Sequence, residues 1–419
     1  MPMKYLLKIT TILCCAAAVA FLSCEDDIDL EDSQEQGTRG GAKEITYLLY
    51  MVGQNNLSAY LSQNIEWLME GYKASNVDAN VLVYADLNSS PELYLFEKDR
   101  NGNVQKTTVK TYPDQYSVDP EVMRSVLSEV FSKYPATRKG VTFSSHGSGS
   151  LYGSNTIKNR AFGTEGPWNY TMNVTDIRDA LSGCPRLDMI MFDACLMASV
   201  ETAYELKDCA RYFLAAPNNV PATGVPYDKL LTNLLRMDAA GLSQAGKIYM
   251  DFYQTNLSEE DEWNDFASIS LTDLSCMDTL AVYMDSLFQS PTVQACPEML
   301  DRQRLQRMEN GFTLYDFGEW VDSLGQDNPY VAKIHAVLDK AIVYEAHGEY
   351  ASCSDYGGWL TIPIKEGAYC GLNTYVPTQY PMYLEGDQMT FFTTLQWYRD
   401  AGFWRSDFYN RFELQEEKK

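Results

Sequence analysis

Two loops in this 419-residue chain carry residue types suited to covalent chemistry, each at the end of an apolar run. One run is Val141-Thr142-Phe143-Ser144-Ser145 and ends in His146-Gly147. The other is Met189-Ile190-Met191-Phe192 and ends in Asp193-Ala194-Cys195. A thiolate is a strong nucleophile, and a nearby imidazole can activate the thiol and then protonate a leaving amine. Gly147 permits close backbone approach, and the amides of Gly147 and Cys195 could face a developing oxyanion. A helix starting just after Cys195 would bring positive dipole charge to the sulfur and lower its pKa. Taken singly, Cys195 also reads as a small buried apolar residue and His146 as a loop side chain with a structural hydrogen bond. Their joint placement after two strong strands favours a site.

That placement demands a particular scaffold. Sites in open α/β sheets form beyond the carboxyl ends of the strands, so the two runs must be parallel neighbours. The hydropathy pattern supplies such a scaffold. Strands are expected over 43–52, 80–85, 139–145, 187–192 and 212–216, with helices over 57–72, 119–133, 174–181, 198–207 and 227–236 between them. A hairpin is expected at 92–109, turned at Asn101-Gly102. Alternating strands and helices imply a three-layer α/β/α sandwich with a mostly parallel central sheet. Residues 44–236 read as the core. Residues 237–419 read as a smaller C-terminal region completing or flanking the sheet, with strands at 266–271, 358–364 and 372–375 and helices at 242–256, 273–288 and 388–401.

The segments around the two loops resemble the clostripain family of cysteine peptidases, within the caspase-like clan. Phe192-Asp193-Ala194-Cys195-Leu196-Met197-Ala198-Ser199-Val200-Glu201 resembles the family's nucleophile segment, and Ser145-His146-Gly147-Ser148-Gly149 its histidine loop. Tyr50-Met51-Val52-Gly53-Gln54-Asn55-Asn56-Leu57 is similar to its first strand and turn, and Gly371-Leu372-Asn373-Thr374-Tyr375-Val376-Pro377 and Trp397-Tyr398 to its late motifs. The resemblance covers about residues 44–404. It implies a caspase-like fold and an endopeptidase acting on protein or peptide substrates. Cys195 would be the nucleophile and His146 the general base and acid. It also implies cleavage after Arg or Lys, with Asp193 as one acid of the specificity pocket. Asp193 also reads as a strand-end cap that fixes the nucleophile turn. Where many family members carry a second acid, Thr223 stands, which leaves a pocket tuned to neutral side chains open. The resemblance further implies a zymogen cut in the 147–165 loop, where Lys158 and Arg160 are the basic candidates. Calcium dependence is implied for some members, with Glu259-Glu260-Asp261-Glu262 as an acidic loop that also reads as simply solvated. A catalytically idle binding lipoprotein and a peptide ligase or transpeptidase remain as other uses of the same fold.

Composition narrows the alternatives. Hydrophobic residues are 45% of the chain, ample for a core, which excludes wholesale disorder. Acids outnumber bases 57 to 33, so nucleic acid is a poor partner. The first 36 residues hold seven acids and two lysines, so residues 37–419 keep a net charge of −19 and attract basic substrates over long range. Residues 1–23 read as a signal peptide, and Phe21-Leu22-Ser23-Cys24 resembles a bacterial lipobox. Cys24 would carry lipid as the first mature residue, and residues 24–43 would form an acidic tether. The expectation is an exported, monomeric lipoprotein of a Gram-negative outer membrane or cell surface. Seven cysteines remain beyond Cys24; six could form three disulfides and at least one is unpaired. Their spacing matches no zinc site, and no metal ligand set is expected. The other two histidines, His335 and His347, fall in or just beyond a helical stretch over 331–346 and read as structural.

Overall fold

The segment ITYLLYMV is buried at every position, as expected of a strand covered on both faces. It is the centre of the sheet. The computed structural model describes residues 43–87, 90–150, 161–167, 169–255, 265–290, 293, 304–309, 313–355, 358–377, 383–406 and 409. Its strands are β1 (Ile45–Val52), β2 (Ala79–Asp86), β3 (Glu92–Lys98), β4 (Val104–Thr111), β5 (Arg138–Ser144), β6 (Phe162–Glu165), β7 (Tyr170–Met172), β8 (Leu187–Asp193), β9 (Ala210–Ala215), β10 (Ser268–Asp273), β11 (Leu314–Asp316), β12 (Ile342–His347), β13 (Tyr350–Asp355), β14 (Gly358–Pro363) and β15 (Asn373–Tyr375). The helices that cover them include α1 (Ser58–Ala74), α2 (Pro120–Lys133), α3 (Val174–Leu181), α4 (Val200–Glu205), α5 (Tyr227–Leu234), α6 (Ala239–Thr255) and α7 (Met277–Phe288).

Among the described residues the main sheet runs β12-β10-β9-β8-β5-β1-β2-β3-β4. The five central strands are mutually parallel. Antiparallel pairs close both sides. Alternate side chains of β1 feed two cores. Tyr47, Leu49 and Met51 pack with α1, α5 and α6. Leu48, Tyr50 and Val52 face the side covered by α2, α3, α4 and α7. The result is the expected α/β/α sandwich. Residues Ala42–Lys419 form one compact unit, and β10 and β12 belong to the same sheet as β1.

Local chemistry sets the element ends. Asp119 caps α2 by accepting from the amides of Glu121 and Val122, and Pro120 occupies the first turn. The β3–β4 hairpin turns where Gly102 takes φ +82°. β4 is mostly exposed and carries Lys106 and Lys110, which protects the sheet edge.

Three expectations need correction. The helix read over 331–346 stops at Ala341, and Ile342–His347 is the edge strand β12, so His347 lies on a strand. The last helix is two, Tyr383–Thr393 and Gln396–Asp400, because the buried Glu205 carboxylate caps the second by accepting from the Gln396 and Trp397 amides. Three disulfides are excluded, since Cys184, Cys195, Cys209, Cys276 and Cys370 are free thiols. Cys296 lies outside the described residues.

Candidate functional site

Ser144 of β5 stands opposite Asp193 of β8 in the parallel ladder. His146 and Cys195 each follow by two residues, so both leave the same sheet edge. With Gly147, Asp193 and Asn64 they line one cavity of about 410 Å³. Charge and hydrogen bonding differ at each.

Cys195 is partly exposed, and its sulfur accepts from the Val220 amide at 3.2 Å. The helix expected directly after it begins only at Val200, with Ser199 as its cap. The chain first turns through Leu196 at φ +65°, an uncommon conformation for a side chain of this size. Asn218 and Asn373 hold the turn: the Leu196 amide donates to the Asn218 carbonyl at 2.8 Å, and Asn373 Nδ2 donates to the carbonyls of Leu196 and Pro217 at 3.2 and 2.7 Å. Helix-dipole activation is therefore absent from the immediate neighbourhood of the thiol. Burial pushes the thiol pKa up, only partly offset by the Val220 amide.

Glu201, the last residue of the nucleophile segment, is buried and accepts from Thr374 Oγ1 and the Tyr375 amide at 2.8 and 3.0 Å. The Asn373-Thr374-Tyr375 motif of the C-terminal region is thus docked on the nucleophile turn.

His146 is half-buried, and burial lowers its pKa. Its Nε2 lies 2.6 Å from Asn56 Oδ1. Gly147 packs on the nucleophile backbone, since a Cβ there would meet the Cys195 carbonyl oxygen at 2.3 Å and its amide nitrogen at 2.9 Å. The β-bridge beside it uses the His146 carbonyl and the Ser148 amide, leaving the Gly147 amide out of that pairing.

Asp193 is buried. Burial pushes its carboxyl pKa up to about 6, against bonds from Ser144 and the Val225 amide that lower it. Ser144 Oγ donates at 2.9 Å. Gly224 covers it at φ +72°, and Tyr253 donates its hydroxyl to the Gly224 carbonyl. Thr223 does not line the cavity; it gives its carbonyl oxygen to Asn64 Nδ2 at 3.0 Å.

The remaining candidates fall elsewhere. His335 Nε2 pairs with Asp322 at 2.7 Å, and His347 Nδ1 lies 2.6 Å from the Gly348 carbonyl. Lys158, Arg160, Cys24 and the acidic loop 259–262 lie outside the described residues. Among the described residues no group of three His, Cys, Asp or Glu side chains converges to hold a metal ion. No described helix is long and apolar enough to cross a membrane. Sequence reading missed Asn56, Asn64 and Val220 as site residues. Asn55-Asn56 had a usable signal, a polar pair just past a buried strand next to β5.

A thiol and an imidazole on loops leaving adjacent parallel strands of an α/β/α sandwich are the layout of a caspase-like cysteine peptidase. The chain belongs to the clostripain family, peptidase family C11, whose sequence profile matches residues 49–411. Among solved structures it is similar to a secreted C11 cysteine protease from Bacteroides thetaiotaomicron bound to an irreversible peptide inhibitor, with 27% identity and a TM-score of 0.72 over 86% of this chain and 99% of that one. An inactive zymogen C11 protease from Parabacteroides distasonis is similar at 26% identity and a TM-score of 0.71, over 87% of this chain and 99% of that one. Clostripain from Hathewaya histolytica is 25% identical over 244 residues, 50% of this chain and 46% of the relative. The chain thus spans about half the length of the curated relative it matches.

Proposed function

We propose that this chain is an exported cysteine endopeptidase that cleaves after Arg or Lys through Cys195 and His146. The observation that carries the reading is the Asp193 carboxylate in the wall of the cavity that also holds the thiol and the imidazole. A cationic side chain seated against Asp193 brings its own carbonyl carbon toward Cys195.

His146, neutral at pH 7, takes the thiol proton as the sulfur attacks that carbon. The carbonyl π pair moves to oxygen, and the amides of Gly147 and Cys195 donate to the oxyanion. The oxyanion then collapses, the C–N bond breaks, and the imidazolium gives its proton to the departing amine. A water activated by His146 attacks the thioester, releasing the acid and restoring the thiol. For this, Nε2 must exchange Asn56 for the thiol. The Asn56 and Val220 bonds therefore describe a resting arrangement, and cleavage after Lys158 or Arg160 is proposed to release it. Export as a lipoprotein through Cys24 fits the signal-like N-terminus and the secreted relative. Thiol–imidazole chemistry itself calls for no metal, so calcium would act only on structure or processing.

The test uses purified residues 37–419 in reducing buffer, with and without calcium. Hydrolysis of fluorogenic peptides ending in Arg, Lys, Ala or Asp is compared for the wild type and Cys195→Ala. Turnover of basic peptides that is lost in the variant supports the proposal. Turnover of neutral peptides alone overturns the specificity, and transfer to an added amine in place of hydrolysis marks a ligase. Folded protein inert to every peptide, before and after limited tryptic cutting, overturns the peptidase and leaves a binding lipoprotein.

A further inference from the structure

A buried acceptor without a donor stands beside Asp193. Asn64, on α1, is 1% exposed and lines the cavity that holds the thiol. Its Nδ2 donates to the Thr223 carbonyl at 3.0 Å. A carbonyl oxygen only accepts, so this bond fixes which end of the amide is which. Oδ1 is left buried with no hydrogen-bond partner. Buried polar atoms are rarely left unmet in native proteins, and each such case asks for an explanation.

The surroundings give one. The point where a Gly224 side chain would begin lies 3.0 Å from Asn64 Oδ1 and 3.0 and 3.3 Å from the two Asp193 carboxylate oxygens. Both acceptors therefore border one small space, open because residue 224 has no side chain. Among the described residues no Lys or Arg lines this cavity to neutralise Asp193. One charged and one neutral acceptor suit a group with several N–H donors and a positive charge. A guanidinium offers five such donors in a planar fork and reaches two separated oxygens at once. An aliphatic side chain would leave both oxygens bare, and a carboxylate would be repelled.

We propose that Asn64 is a specificity-determining residue whose Oδ1, with the Asp193 carboxylate, receives the cationic end of a basic substrate side chain. The inference deepens the peptidase reading and rests on it. It also gives Thr223 a part through its backbone: the Thr223 carbonyl holds Asn64 in the orientation that presents Oδ1.

The test separates binding of the cation from catalysis. Cys195 is alkylated with iodoacetamide at pH 8, followed by mass spectrometry, in the presence of increasing agmatine, a free guanidinium probe. Agmatine should protect Cys195 in the wild type. In Asn64→Ala the half-protecting concentration should rise roughly tenfold or more, the scale of one lost bond to a charged group. Alkylation without agmatine should stay within about twofold, reporting an intact site. Asn64→Asp keeps an acceptor at the same point and should restore protection. Equal half-protecting concentrations in wild type and Asn64→Ala overturn the proposal. So does loss of alkylation in step with protection, or failure of Asn64→Asp to rescue. Absence of protection in the wild type overturns the cationic pocket as a whole. Asn64-dependent protection in a protein that cleaves no peptide would keep this inference and reject the peptidase.

Discussion

A Cβ on Gly147 would stand 2.3 Å from the carbonyl oxygen of Cys195, an atom of the main chain that has no rotamer to move away. The histidine loop and the nucleophile turn are thus in backbone contact, and only glycine allows it. Gly147→Ala must drive the two segments apart, which displaces His146 and the Gly147 amide together. Misplacement by about 1 Å can cost roughly 100-fold in rate. We expect kcat/KM for a basic peptide to fall by about that factor or more while circular dichroism stays native. Near-normal turnover by Gly147→Ala would show that the contact does not set the site.

The ionisation of the pair yields a second expectation. Burial raises the Cys195 thiol and lowers the His146 imidazole. Both shifts favour the neutral forms at pH 7, so the resting pair is thiol and imidazole, and His146 acts as a base during attack. Iodoacetamide should therefore alkylate Cys195 slowly at pH 6, with a rate that climbs past pH 9. Fast alkylation persisting to pH 5 would demonstrate a preformed thiolate–imidazolium pair and refute this assignment.

How far the sequence could be read follows from the range of each determinant. β5 and β8 were legible because a strand buried on both faces is apolar throughout, and the chemistry of His146 and Cys195 follows each strand directly. The Asn56 partner of His146 and the Asn64 partner of Thr223 are separated by 90 and 159 residues, a range no local pattern encodes. β12 was hidden because its exposed and half-buried residues follow a helix with no Gly or Pro between them, so the apolar spacing runs on past Ala341. The activating helix was misplaced for a similar reason. Met197 and Ala198 suit a helix, but bonds from Asn218 and Asn373 hold the preceding turn, and the helix waits for the Ser199 cap.

Asp193 makes stability and function oppose each other. Its folded pKa of about 6 lies above the ordinary 3.8, chiefly through burial. A raised carboxyl pKa contributes stability that is present below the unfolded pKa and lost as pH rises through about 6. Asp193→Asn should therefore be more stable than the wild type above pH 6, by up to about 3 kcal/mol less the cost of disturbed bonds to Ser144 and Val225. The gain should vanish near pH 4. The same variant should lose binding of basic peptides, and in the wild type KM for them should rise as pH falls below 6. A pH-independent KM, or a variant that melts lower than the wild type at pH 8, would contradict the assignment.

Asp86 and Glu165 form a second buried acidic pair, at the turn that carries Asn56. Asp86 accepts from Gln54 Nε2 at 2.6 Å and from Ser117 Oγ at 2.5 Å, while Glu165 accepts from the Val118 amide at 3.1 Å. Asn55 Nδ2 reaches the Thr164 carbonyl at 2.7 Å, beside Glu165. Burial first, then hydrogen bonding and charge from Asp86, raises the Glu165 carboxyl from 4.5 to about 8. At neutral pH Glu165 thus holds its proton and can donate to Asp86. The sign again follows from a raised pKa: the stabilisation is full at low pH and is lost as pH rises through about 8. Above that, two like charges and the buried hydroxyls of Tyr50 and Tyr84 share one enclosure, and the Gln54–Asn56 turn should loosen around His146. We expect the wild-type Tm to drop between pH 7 and 9, with kcat/KM falling over the same range. Glu165→Gln keeps an N–H donor toward Asp86 without the ionisation, so both slopes should flatten. Equal alkaline slopes in the variant and the wild type would place the titration elsewhere.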